Sequence, residues 1–557
     1  MDNGYLFVGI VVLILLTSAL SRVVNSLRYS KKLKAQITQR WGREPGKVKP
    51  EKLRSIATYF NDTSSENLQR HIIDNITWND LDMDRIFMRI NNTGSSVGEE
   101  CLYSLLRNPS FDIETLKKRG RLIEFFRKNP SQREKLQLIF AKLGKVDDTN
   151  ISDYFTGYAP EPKGRRTLYN LLGLIAFIAP VITVISFPLG MMIFISIFTV
   201  NMTLYYKSRN ELRSQLESIS YVVRLIHCTK NVIETDIPEL KEYIQTLSSS
   251  YQNLKPISKK AFNLLYRSGD PIVEYVKIAY LRELASYENI SRLITRYNED
   301  LRIIYETIGL LDSLMAVASF RESLNYWCVP DLEGDSRKLV SKKAYHPLIK
   351  DPVSNTLETD KSLLITGSNA SGKSTFIKTT AINALLAQSI YTCLAEEYST
   401  CLFKVFSSMA LRDDLMSNES YYIAEIKSLK RIFDHLENNL PCLCFIDEVL
   451  RGTNTIERIA ASSQVLFSLS QSNCLCITAT HDIELTRLLE DNFINYHFQE
   501  QITDEGITFD YKLYPGRSHT RNAIKLLKFI GYDESIVNNA EDRAQKFLAE
   551  GKWDKVR

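Results

Sequence analysis

Hydrophobic and polar positions follow three regimes along this chain. Two stretches are apolar without periodicity. The first, Tyr5-LFVGIVVLILLTSAL-Ser21, runs on to Val24 with no charge before Arg22, close to the length a bilayer crossing needs. The second is a long uncharged run, Leu168 to Phe187 and Leu189 to Tyr206, broken by Pro188 and Gly190. It reads as two membrane helices joined by a minimal turn, with Pro180 tolerable as a kink. From Asn210 to about Tyr326 apolar residues recur at three- and four-residue spacing, as in Leu212, Leu216, Ile219 and Val222. That periodicity predicts long amphipathic helices, and residues 56–145 are helix-patterned and polar as well. Beyond residue 340 come short apolar runs of strand length: Ser362–Thr366, Cys442–Ile446 and Cys474–Ala479. Each ends at a glycine-rich or acidic turn, the pattern of buried parallel strands.

Charge refines the membrane reading. No basic residue precedes the first apolar stretch, and no small-residue cleavage site follows it, so it is expected to be an uncleaved anchor. Arg22, Arg28, Lys31, Lys32, Lys34 and Arg40 come next, while Lys163, Arg165, Arg166, Lys207 and Arg209 flank the second run. By the positive-inside rule all these flanks face the cytoplasm. The net charge of +5 is only mildly basic and does not by itself indicate nucleic acid. The nine cysteines form no C-x-x-C pair. Cys442/Cys444 and Cys474/Cys476 lie at strand period inside apolar runs and are expected to be buried thiols, not metal ligands or disulfides.

The chemistry centres on Gly367-Ser368-Asn369-Ala370-Ser371-Gly372-Lys373-Ser374, followed by Thr375. It fits the phosphate-loop pattern between a strand and a helix expected over 375–389. In such a loop backbone N–H groups and the helix N-terminus face phosphates. Lys373 would neutralise the β- and γ-phosphates and Ser374 would offer its hydroxyl to Mg2+. Asp447 and Glu448 close the strand Cys442–Ile446, where Asp447 would complete the Mg2+ shell and Glu448 would polarise the attacking water. His481 closes the next strand and would stand beside the γ-phosphate if the two strands are neighbours. ATP and Mg2+ are therefore the expected cofactors.

GSNASGKST, DEVLRGTNT and ATHDIEL, in this order, resemble the ATPase domain of the MutS family of ABC-type ATPases. Asp413-Asp414-Leu415-MSNE-Ser420-YYIA-Glu425 resembles the family's signature segment, and Tyr511-KLYPGRSHTRNAIKLLKFIGY the segment that closes the domain. The turn and helix around Asn92, Thr93, Gly98, Leu102, Leu106 and Pro109, together with Leu310 to Pro330, are similar to parts of the family's helical lever, and Ala344-YHPLI to the turn ahead of its nucleotide domain. The resemblance implies an α/β P-loop ATPase domain of ABC type beside an all-α lever or core domain. It also implies a homodimer in which Ser420 of one copy reaches the nucleotide of the other.

The domain expectation that follows is a membrane helix at 5–24, a cytosolic helical region at 25–165 with its lever-like part at 86–150, a membrane hairpin at 168–206, helical lever at 207–330 and ATPase at 340–557. About 60 residues separate the first span from the lever-like part, too few for the family's mismatch-reading domain. The literal Phe498-Gln499-Glu500 falls inside the ATPase block and is no mismatch wedge. The expected protein is a multi-pass ATPase of the cell membrane, its ATPase domain cytoplasmic, that drives a conformational switch with an unidentified protein or lipid partner. Two other classes compete: a membrane-tethered repair protein that binds duplex DNA, and a transporter. Uncharged spans argue against the last, and salt-dependent duplex binding separates the other two.

Overall fold

A computed structural model of the protein describes residues 28–46, 50–64, 71–146, 151–157, 164–260, 271–334, 337–368, 371–409, 421–436, 440–503, 506–518 and 523–553. The apolar stretch 5–24, the loop residues Asn369 and Ala370, and the 413–420 segment with Ser420 lie outside the described residues. The chain divides into two units, one of residues 1–70, 87–107 and 118–323, the other of residues 71–86, 108–117 and 324–557.

The first unit is helical: α1 (Pro50–Ser64), α2 (Ser96–Arg107), α3 (Arg166–Ile185), α4 (Phe187–Glu211), α5 (Arg213–Ile233), α6 (Lys241–Lys260), α7 (Pro271–Tyr280), α8 (Arg282–Arg296) and α9 (Asn298–Glu322) are its main elements. Three of these are long and apolar enough to cross a membrane, and burial separates them. The apolar window of α9 is 78% buried, against 22% for α3 and 17% for α4. Helix α9 is thus a core helix, with Leu301, Ile304, Tyr305, Ile308 and Leu311 fully enclosed. Its Asp312 holds the turn before α2, accepting from the Gly94 and Ser95 N–H groups at 3.0 and 2.9 Å and from the Ser95 hydroxyl at 2.5 Å. A carboxylate from a distant helix therefore satisfies donors at the start of α2. A Cβ on Gly98 would lie 2.1 Å from that carboxylate, which is why a glycine stands there.

Helices α3 and α4 form the hairpin that the uncharged run predicts. Ser186 is extended (φ −142°, ψ 101°) and separates them, and Pro188 lies in the first turn of α4, where its missing N–H costs nothing. The two arms touch so closely at the tip that a Cβ on Gly190 would meet the Thr183 nitrogen at 2.2 Å. Ile185 (82% exposed) and Phe187 (66%) project from the tip. At the other end Tyr169 and Tyr205 pack with Ile278, Leu281 and Leu284, and the Asn201 amide donates to the Ala279 carbonyl at 2.7 Å. Helices α7 and α8 thus cover the base of the hairpin and leave its outer part exposed.

The second unit is α/β. Its main sheet has the order β11 (Tyr514–Pro515), β8 (Phe493–His497), β3 (Ser362–Thr366), β7 (Cys474–Ala479), β6 (Cys442–Asp447), β5 (Lys404–Ser408). All neighbours are parallel except β11 on β8. Every residue of β3, β5, β6 and β7 is buried, as strands covered on both faces must be. A separate antiparallel sheet joins β1 (Leu339–Ala344) to β2 (Asn355–Thr359) and β4 (Glu397–Ser399), and β9 (Glu500–Thr503) pairs with β10 (Gly506–Phe509).

The four strand cysteines are free and buried, Cys442 opposite Cys474 and Cys444 opposite Cys476. The sulfurs of Cys444 and Cys474 lie 3.2 Å apart, well beyond a disulfide bond. Residues 71–86 belong to this unit through the short helix Asn75–Asp80. The Asp80 carboxylate accepts from the Ser407 hydroxyl at 2.7 Å and the Met409 N–H at 3.0 Å, just beyond the end of β5. No periodicity in the sequence signals that long-range packing.

Candidate functional site

Strand order builds the site. Strand β3 lies between β7 and β8, and β7 lies between β3 and β6. The carboxyl ends of β3, β6 and β7 therefore open together, the place where an open α/β sheet binds its ligand. The loop after β3 leads into α10 (Lys373–Ile390), which begins two residues earlier than the periodicity suggests. Gly367 (φ 149°) and Gly372 (φ 109°) need their left-handed backbone. A Cβ on Gly367 would also meet the Phe498 carbonyl at 2.8 Å, and one on Gly372 the Tyr511 ring at 3.2 Å.

Lys373 is buried, and its ammonium donates to the Gly367 and Ser368 carbonyls at 2.7 and 2.9 Å. Burial lowers its pKa below the ordinary lysine value, with Asp447 and Glu448 opposing that shift. The Ser374 hydroxyl donates to Asp447 at 2.5 Å. Two oxygen donors from different elements thus converge on one point, a donor set that suits a hard divalent cation such as Mg2+.

Glu448 stands at φ 56° with its N–H bonded to the Ala479 carbonyl at 2.9 Å. Its carboxylate lies 2.9 Å from His481 Nε2 and 2.5 Å from Arg451 Nε. Burial raises its pKa, but the His481 hydrogen bond and the Arg451 charge outweigh burial and hold it below the usual value. His481 also lies 3.4 Å from the Lys373 ammonium. Arg458 grips Asp482 with two bonds of 2.9 and 2.7 Å, fixing the residue next to His481.

The structure therefore brings together Ser368, Ser371, Gly372, Lys373, Ser374 and Thr375 of the loop with Asp447, Glu448 and His481. Three further residues enter that the sequence reading did not assign. Arg451 pairs with Glu448, Tyr511 lines the cavity of about 370 Å3 over the loop, and buried Glu500 accepts from the Ser368 hydroxyl at 2.6 Å. Phe498 packs on Phe376, with ring centroids 5.9 Å apart. The Phe498-Gln499-Glu500 triplet thus supports the phosphate loop. Only the pairing of β8 with β3 brings it there, so the residues alone give no signal.

A second cavity of about 350 Å3 shares Gly372, Thr375 and Tyr511 with the first and is walled by His346, Val353 and Phe376. Burial, aided by Lys378, pushes His346 down to about 4, so its imidazole is neutral at pH 7. Helix α11 (Tyr421–Phe433) follows the 413–420 segment directly. Its Glu425 accepts from the Leu450 N–H at 2.5 Å and the Arg451 N–H at 3.3 Å, fastening that helix to the turn that carries Glu448.

The family model for MutS domain V matches residues 363–548, the segment that holds the phosphate loop, Asp447, Glu448 and His481. Similar proteins include the DNA mismatch repair protein MutS of Natronomonas pharaonis, 27% identical over 317 residues, which covers 55% of this chain and 36% of that protein. The MutS of Thermus aquaticus is 29% identical over 325 residues, 57% of this chain and 38% of its own length. That of Rickettsia bellii is 28% identical over 279 residues, 47% and 31% respectively. The matched region spans about a third of the length of these relatives.

Proposed function

We propose that the chain is a MutS-family, Mg2+-dependent ATPase, held in a membrane by the α3–α4 hairpin, that uses ATP to drive a conformational switch as a homodimer. The observation that carries the catalytic part is the convergence of Lys373, Ser374, Asp447, Glu448 and His481 at the ends of three adjacent parallel strands.

The chain's own residues divide the work. The loop N–H groups and Lys373 bind the phosphates, while Ser374 and Asp447 hold Mg2+. When bound, Mg2+ neutralises charge on the β- and γ-phosphate oxygens. Glu448, ionised at neutral pH because His481 and Arg451 hold its pKa down, takes a proton from the attacking water. His481 lies between Glu448 and Lys373 and senses the γ-phosphate. The cavity beside Tyr511, His346 and Phe376 offers a largely apolar slot for the base, with Asp351 and Asn355 among its polar lining. Ser420 of a second copy completes the site.

The membrane part rests on exposure. Helices α3 and α4 present Leu171, Leu174, Phe177, Met192 and Ile195 outward, an apolar surface that water disfavours. The 20 residues of α3 span about 30 Å, near the thickness of a bilayer core. The uncharged stretch 5–24 and the basic residues after it support a cell-membrane location with the second unit in the cytoplasm. The backbone passes from Ser323, at the end of the first unit, straight to Leu324 of the second, a direct route by which ATP binding could move the hairpin's unit.

The likeness to DNA mismatch repair proteins favours a second reading, ATP-dependent binding of mismatched DNA by a tethered protein. Hydrolysis by wild type, Lys373→Ala and Glu448→Gln tests the ATPase. The expected result is turnover in wild type, none in Lys373→Ala and strongly slowed turnover in Glu448→Gln; turnover surviving Lys373→Ala would contradict it. Duplex binding that weakens steeply with salt and depends on the mismatch would support the second reading instead.

A further inference from the structure

At the foot of the hairpin the first unit holds a cavity of about 490 Å3, lined among others by Arg209, Arg213, Arg224, Lys277, Glu217 and Glu283. Four cations and two carboxylates line it. Glu283 accepts from the Tyr205 hydroxyl at 2.7 Å, and Glu217 lies 3.7 Å from Arg213 Nε. No carboxylate lies within ion-pair distance of Lys277 among the described residues. Two of the guanidinium groups are held in place by aromatic rings. Arg209 lies 5.4 Å from the Tyr205 ring centre and Arg224 5.0 Å from that of Tyr221, and Arg224 also donates to the Leu143 carbonyl at 3.2 Å. Stacked, partly fixed arginines around a recess are built to meet a multivalent oxyanion.

The position of the recess narrows the ligand. Arg209 comes three residues after Tyr206, which ends the uncharged run and itself lines the cavity. Lys277 is on α7, whose Ile278 and Ala279 contact the base of the hairpin. The cations therefore sit where apolar helix surface gives way to polar surface, the level of lipid headgroups around an embedded hairpin.

We propose that this cavity binds the phosphate of an anionic phospholipid headgroup, with the acyl chains lying along the exposed faces of α3 and α4. The proposal rests on the reading that the hairpin is embedded. A single concave recess of this size suits one headgroup better than the run of phosphates on a DNA duplex.

The test uses the full-length protein in detergent micelles and measures binding of fluorescent phosphatidylglycerol against phosphatidylcholine. The wild type should prefer phosphatidylglycerol. The triple variant Arg209→Gln, Arg213→Gln, Lys277→Gln should lose that preference by roughly fivefold per cation removed. Glu217→Gln should strengthen it, which guards against reading a misfolded triple variant as a loss of binding. An unchanged preference in the triple variant would overturn the proposal. Displacement of phosphatidylglycerol by inorganic phosphate, or by a short DNA duplex whose binding the same variant abolishes, would overturn the lipid assignment. Flotation with phosphatidylcholine vesicles is scored separately. Its failure in wild type would overturn the embedded hairpin alone, because the micelle assay reads the cavity without it.

Discussion

Glu448 occupies the left-handed region, and Leu450 two residues on does the same at φ 59°. Non-glycine residues pay about 1–3 kcal/mol for such a backbone, and the Ala479 carbonyl and Glu425 hold this turn in place. Glu448→Gln keeps the shape and removes the base. Single-turnover assays should find ATP bound normally and hydrolysed about 10²–10⁴-fold more slowly. Arg458→Ala frees Asp482 and should lower kcat with little effect on nucleotide affinity, because it touches no loop residue. A rise in KM with kcat unchanged would sink that role.

Titration adds a residue-scale test. His71 and His346 of the second unit are both pushed down to about 4, chiefly by burial. Their unfolded forms bind protons from about pH 6.5 downward while the folded forms stay neutral. These two groups therefore cost the second unit stability as pH falls from about 6.5 to 4, and their cost is absent above that window. Denaturant melts between pH 7 and 4 should show the loss, and replacing His346 by Gln should shrink it. The loop, Asp447, Glu448 and His481 were legible because each closes a short apolar run with residues of one chemistry. Glu500 and Arg451 were not, since a strand pairing and a tight turn bring them in.

Element boundaries followed from periodicity where the environment was uniform. The runs Ser362–Thr366 and Cys474–Ala479 are strands over those same residues, and the hairpin breaks at Ser186 beside the expected Pro188. The sequence already separates α9, which carries Glu306 and Asp312 along its length, from the uncharged run of α3 and α4, and of the three only α9 is enclosed by other helices. Its Asp312 was invisible to a sequence reading, since its partners Gly94 and Ser95 lie over 200 residues away. Asp312→Ala should leave these donors unpaired and destabilise the first unit by about 2–4 kcal/mol in urea unfolding. A change within about 0.5 kcal/mol would mean that water replaces the carboxylate. At the hairpin, Phe177→Arg introduces a charge on an exposed apolar face and should weaken retention in alkaline-washed membranes. Equal retention would place that face outside the lipid.

At the scale of the molecule, the family match covers residues 363–548 of the second unit, and the hairpin lies outside it. The proposed ATPase rests on that match and on the geometry around Lys373, and the proposed membrane attachment rests on exposed apolar surface and flanking charge. The two halves of the account meet in one experiment. Full-length wild type, Lys373→Ala and Glu448→Gln are mixed with lipid vesicles, floated through a density gradient after alkaline washing and neutralisation, and assayed for Mg2+-dependent ATP hydrolysis in every fraction. The account predicts that all three proteins float, with turnover in the wild-type vesicle fraction, none in Lys373→Ala and strongly slowed turnover in Glu448→Gln. Activity left with unfloated protein, or persisting in floated Lys373→Ala, would contradict it.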